Sequence, residues 1–301
     1  GKRVTSTLLP LKKNPHPYEA LCDYGGFFTD EYAEHYGFRD PRDPARFLNL
    51  RELVDFGFVH ELWFYAIHDG PWPGRETCEF KQFYDENCRP IKGKHGQAGN
   101  GADRTMPWIG RSFRIAFFNP HRGIGCSMEN LGHTLEWMAT TKSIAYYSKY
   151  FIEYAELNFD KRFGVPFNEL YRTDPGVKDS ITYPSKTSMV VKIGDKEYKI
   201  DPYVAIGGSV HFPPGARHHY DLNSPYTVMS TIESYRMRNG PDGKDLAKEF
   251  NIKLIEAAGN FAPDCMGNWM VFWRQCMPGL DNKCVDDDGQ PMKNWWPFLF
   301  Y

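Results

Sequence analysis

Gly123-Ile124-Gly125-Cys126-Ser127-Met128-Glu129-Asn130-Leu131-Gly132-His133-Thr134-Leu135-Glu136-Trp137 decides how the rest of this 301-residue chain is read. Two glycines leave a strand-like segment and open a stretch that no proline interrupts between Arg122 and Val165. Apolar residues then recur at helical spacing, which predicts one long helix. At about 100° per residue, Glu129, His133, Glu136 and Thr140 project from one side. Ile144, Tyr147, Phe151 and Tyr154 continue that line, while Lys142, Lys149 and Glu153 fall opposite. The apolar half marks the core-facing side, so two carboxylates and an imidazole lie on it. Aimed inward, such groups are costly unless paired, protonated or bound to a cation.

His133-x-x-Glu136 puts two ligand-competent side chains one helical turn apart. A third ligand is expected from His211, which ends a strand-like run just before Pro213-Pro214. Two imidazoles and a carboxylate suit a divalent metal, Zn²⁺ first, with an open position for a water whose pKa falls to about 7. A nearby carboxylate is then needed as general base, and Glu129, Glu233 and Glu61 are the candidates.

The set His133, Glu136 and His211 resembles the H-x-x-E…H ligand set of the zinc metallocarboxypeptidases. That resemblance implies a zinc ion on these three residues and hydrolysis of a peptide. A second likeness runs through Val59-His60-Glu61-Leu62-Trp63, Leu131-Gly132-His133-Thr134-Leu135-Glu136 and Val210-His211-Phe212-Pro213-Pro214. These segments are similar to segments of uncharacterised secreted bacterial and fungal proteins, a likeness that implies no mechanism.

Other chemistries compete for the same residues. Glycoside hydrolysis needs two carboxylates facing across a bond. Glu61 with Glu129 or Glu136 is one such pair, Glu76 lies in the loop that follows, and the many aromatics would stack on sugar rings. The bland reading of the helix face is a Glu–His–Glu hydrogen-bond network, satisfied and inert. A non-catalytic extracellular module binding carbohydrate or protein is the corresponding alternative. Gly123-Ile124-Gly125 reads as a tight turn before it reads as an anion cradle, because the full dinucleotide pattern is missing. Asp286-Asp287-Asp288-Gly289 departs from an EF-hand loop and reads as an exposed acidic turn. His218-His219-Tyr220-Asp221 either lines the same cleft as His211 or faces solvent, and solvent is the expectation.

The flanks set the fold class. Residues 1–45, broken by Pro15, Pro17, Pro41 and Pro44, read as a wrapping arm with a short helix at 29–36. Residues 46–301 read as a single α/β catalytic domain with a mixed sheet, a long central helix and long disulfide-held loops. Within it, 49–56 predicts a helix ended by Gly57, and 59–67 and 111–119 predict strands, the first followed by a turn at 68–71. Residues 70–110 read as a loop closed by Cys78 and Cys88. A hairpin turns at Gly194-Asp195, 227–235 is a strand, and 243–258 an amphipathic helix. From residue 261 the tail shows no clear period.

Composition bounds the function classes. A net charge of −2 gives no electrostatic reason to expect nucleic acid as a partner, and no run of 18 apolar residues exists to span a membrane. Aromatic content of 16% suits a cleft for peptide or carbohydrate substrates. The seven cysteines contain no C-x-x-C, and Cys265, Cys276 and Cys284 cluster near the C-terminus. Two or three disulfides and an extracellular protein are expected from them. Residue 1 is glycine rather than methionine, which accommodates a removed signal peptide. The reading is a secreted hydrolase.

Overall fold

The computed structural model describes residues 8–67, 72–172 and 180–301. The turn expected at 68–71 lies outside them. Helices and sheets mix as expected of an α/β chain, and they gather into two compact units. The first holds the described residues through Phe83, Pro90–His121 and Phe300–Tyr301; the second holds Tyr84–Arg89 and Arg122–Leu299.

In the first unit, α1 (Asp30–Tyr36) begins with Asp30 and Glu31 and ends at Gly37, whose φ of 72° is the left-handed turn glycine tolerates. A small ladder of β1 (Arg39–Asp40) and β2 (Asp43–Phe47) follows. Next comes α2 (Leu50–Asp55), started by a capping box in which Asn49 and Glu52 accept each other's backbone N–H. The main sheet has the order β3 (Glu61–Tyr65), β6 (Phe113–Phe118), β4 (Thr77–Tyr84), β5 (Pro90–Ala98). β3 runs parallel to β6, and β4 antiparallel to it, so the sheet is mixed.

Alternation along these strands sends Phe64, Cys78, Phe113, Ile115 and Phe117 into a core with Tyr24, Phe27, Leu50 and Val54. The opposite face carries a row of charge. Arg114 is in register with Glu61 on one side and Glu79 on the other.

The disulfide-held loop at 70–110 is corrected by β4 and β5, and all seven cysteines are free thiols. The physical reason is legible in Thr77-Cys78-Glu79-Phe80-Lys81. Cys78 alternates into the apolar core as a small hydrophobe, while buried Glu79 and Lys81 disguise the strand as a polar loop.

In the second unit the expected single helix is two, α3 (Ile124–Thr140) and α4 (Ala145–Tyr154). Hydroxyls end the first. Thr141 donates to the Trp137 carbonyl at 2.7 Å and Ser143 to that of Met138 at 3.0 Å, with Lys142 at a φ of 56° between them. Thr140, placed on the inward line by the sequence, is exposed. Tyr147, Phe151 and Tyr154 of α4 do reach the core and meet Trp273 and Trp295.

After α5 (Phe159–Phe163), the strands β7 (Ile181–Ser185), β8 (Ser188–Ile193) and β9 (Lys196–Ile200) form an antiparallel meander containing the expected hairpin. The strand expected at 227–235 is only β10 (Val228–Ser230), because a 3-10 turn takes over at Ile232. The helix expected at 243–258 divides into β11 (Lys248–Phe250), paired with β10, and α6 (Lys253–Ala258). The tail supplies α7 (Gly267–Gln275), which the sequence did not announce. Gly132 lets α3 and α7 approach. A Cβ there would stand 2.7 Å from Met270 Sδ and 2.9 Å from Val210.

Candidate metal centre

The site begins with helical spacing. On α3, Glu129 and His133 are four residues apart and His133 and Glu136 three, so His133 has a carboxylate on either side. All three are buried, between 7% and 9% exposed. The start of the helix is fixed from a distance: Asp264 accepts from the backbone N–H of Gly125 at 2.8 Å and of Cys126 at 3.1 Å. The chain's own carboxylate thus occupies the helix end behind the glycine turn.

His211 arrives on a pinned loop. Ser209 and Phe212 exchange backbone hydrogen bonds around it, and Gly208 has a φ of 66°. Two α7 indoles hold the loop: Trp269 donates to the Ser209 carbonyl and Trp273 to that of Gly208, both at 3.0 Å. From α3, Glu136 Oε1 accepts the Val210 N–H at 2.9 Å. Glu136 also accepts the Tyr171 hydroxyl, which in turn accepts the His211 N–H at 3.3 Å.

Three ligand-capable atoms converge within 4.8 Å of one another: Glu129 Oε1, His133 Nε2 and His211 Nε2. The separations are 3.1 Å between the imidazole nitrogens, 3.0 Å from His211 to Glu129 and 3.8 Å from His133 to Glu129. Tetrahedral ligands about 2.05 Å from a zinc ion stand about 3.4 Å apart, so these distances bracket the requirement.

Glu136 sits behind the cluster. Its Oε2 is 3.1 Å from His133 Nδ1. That bond places the His133 proton on Nδ1 and leaves Nε2 with its lone pair toward the cluster. The sequence had Glu136 as ligand and Glu129 as base; in the structure Glu129 stands among the ligand atoms and Glu136 orients an imidazole.

Burial pushes the Glu129 carboxyl up, but the hydrogen bonds from His211 and Tyr220 and the neighbouring imidazoles outweigh it and hold the carboxyl well below its ordinary range. The Tyr220 hydroxyl donates to Glu129 Oε1 at 2.8 Å, and its ring lies 4.1 Å from that of His211. The sequence reading preferred solvent over the His211 cleft for Tyr220, which is half exposed and also reaches the cluster, and it did not find Tyr171. The first had a signal, its place in a His-His-Tyr run nine residues past His211; the second had none.

The remaining predicted residues are elsewhere. Glu61, in the first unit, is bound by Arg114, with Nε at 2.9 Å. Glu76, in the same unit, accepts from the Asn100 amide. Glu233 is exposed and paired with Lys248 at 2.8 Å. Asp287 of the acidic turn is held by Lys149 and Arg236, which leaves it poorly suited to calcium. No helix among the described residues is long and apolar enough to cross a membrane. No protein-family model, curated protein or solved structure matches the chain, so the chemistry of this site is argued from its geometry.

Proposed function

We propose that the chain is a metal-dependent hydrolase in which Glu129, His133 and His211 hold a zinc ion. The convergence of three buried ligand atoms, with no lysine or arginine paired to Glu129 among the described residues, carries this reading. A zinc ion on three protein ligands supplies a bound water with a pKa of about 7. Glu136 keeps the His133 proton on Nδ1. His211 ligates through Nε2 only with its own proton on Nδ1, a buried nitrogen with no hydrogen-bond partner among the described residues. Tyr220, half exposed, stands where it can donate to charge developing on a substrate held at the open position. A peptide or a carbohydrate is the substrate class, taken from the aromatic content of the chain.

Without a cation the same atoms form a continuous chain. Tyr220 and His211 donate to Glu129, His133 accepts from His211, and His133 donates to Glu136. That is the inert network, and metal content separates the two. Protein purified without added metal is expected to carry roughly one equivalent of zinc, and His133→Ala and His211→Ala almost none. Less than about 0.1 equivalent in folded wild type, with no uptake on soaking, would sink the metal reading in favour of the network.

A further inference from the structure

Away from this cluster, the second unit has a cavity of about 650 Å³. Its wall is mostly apolar, with Met128, Met237, Val271, Met277 and Trp296. Arg274, in the last turn of α7, also lines it. The guanidinium donates Nε to the Met270 carbonyl at 3.0 Å and turns Nη2 to the Met128 sulfur; Nη1 makes no hydrogen bond to the described residues. No carboxylate among the described residues pairs with Arg274. Glu233 and Asp281 also line the cavity, but both are exposed, and Glu233 is held by Lys248. Desolvation alone pulls the Arg274 pKa down to about 10, the mark of a cation set against apolar surroundings.

We propose that this cavity binds an amphipathic alkyl carboxylate, its head on the Arg274 guanidinium and its chain among the methionines and Trp296. Arginine suits a carboxylate because two N–H groups reach it in one plane. Unbranched methionine side chains adapt to a flexible alkyl chain as they do to irregular cores. The volume falls within the usual range for small-molecule sites, about 300–1,000 Å³. The ordinary alternative is an arginine that merely caps the carbonyl end of α7.

Octanoate and 1-octanol, titrated calorimetrically into the full chain, distinguish these. Octanoate is expected to bind about tenfold or more tightly than octanol. Arg274→Gln should remove that preference and leave octanol binding as it was. Val271→Trp, which narrows the cavity without touching the charge, should abolish binding of both and covers the case in which Arg274→Gln fails to fold. No octanoate binding at millimolar concentration, equal binding of the two ligands, or undiminished octanoate binding by Val271→Trp would each overturn the proposal.

Discussion

The two units both bury carboxylates, and they neutralise them differently. On the sheet of the first unit, Glu61 is met by Arg114, and Glu79 lies 3.9 Å from the Lys81 ammonium. In the second, Glu129 is met by two imidazoles and a phenol. At pH 7 an arginine or lysine cation closes the matter electrostatically and leaves no lone pair to use. Imidazoles bring nitrogens that accept a proton or a metal, so the same buried charge stays chemically available. Glu61 is therefore better explained as a structural ion pair, despite its position in an apolar strand segment.

Breaking the first arrangement should have the largest effect. Glu79→Ala leaves the 1%-exposed Lys81 without its nearest carboxylate, and a loss of about 3–5 kcal/mol is expected in denaturant unfolding at pH 7. A loss under about 1 kcal/mol would mean that the row of charge is not holding the sheet.

Titration sharpens the point. Burial pulls the Lys81 pKa down from 10.5 to about 8, with Glu79 opposing. Between those values the unfolded chain binds more protons, so this group makes stability rise with pH, by about 3 kcal/mol in full. Below pH 8 lysine is charged in both states and the contribution is flat. Unfolding free energies from pH 7 to 10 should show wild type climbing relative to Lys81→Met; parallel curves would remove the lysine from the account.

A smaller effect is expected behind the cluster. Glu136→Gln weakens the acceptor for the His133 N–H and should lower zinc affinity about 10–100-fold in a chelator competition. Unchanged affinity would mean that Glu136 serves only the His211 loop. The smallest is Tyr220→Phe, which removes one of the donors on Glu129 and should cost about 1 kcal/mol of stability while bound zinc stays stoichiometric. Loss of the metal in that variant would mark the tyrosine as part of the ligand field.

What was legible in the sequence follows from how side chains leave a helix. The spacing of Glu129, His133 and Glu136 placed all three on one buried face, and His211 was correctly brought to it. Which glutamate shares the centre depends on the side from which His211 approaches. Positions four before and three after His133 lie within about 20° of each other around the axis, but one turn below it and one turn above it, and nothing in α3 records at which level the loop after Gly208 will arrive. The break after Thr140 was missed because threonine and serine hydroxyls end helices without the glycine or proline that usually signals it. The tail was opaque for another reason. Trp269, Met270 and Trp273 share the buried face, but Val271 and Phe272 off that face are apolar too, so α7 lacks a clean polar face to reveal its period.

One small contact has a bearing on the order of events in biosynthesis. The first turn of α3 is capped by a carboxylate 139 residues further along, and the turn fits only because Gly125 has no Cβ where the Asp264 carbonyl passes. A ribosome releases this chain from the N-terminus, so the whole α3 segment emerges long before its cap has been translated. Nascent chains arrested ahead of residue 264 should therefore hold an unanchored helix, and the ligand atoms should converge only once α7 and its indoles have emerged and closed on the loop carrying His211. The cluster is completed by a later segment of the chain reaching back to an earlier one.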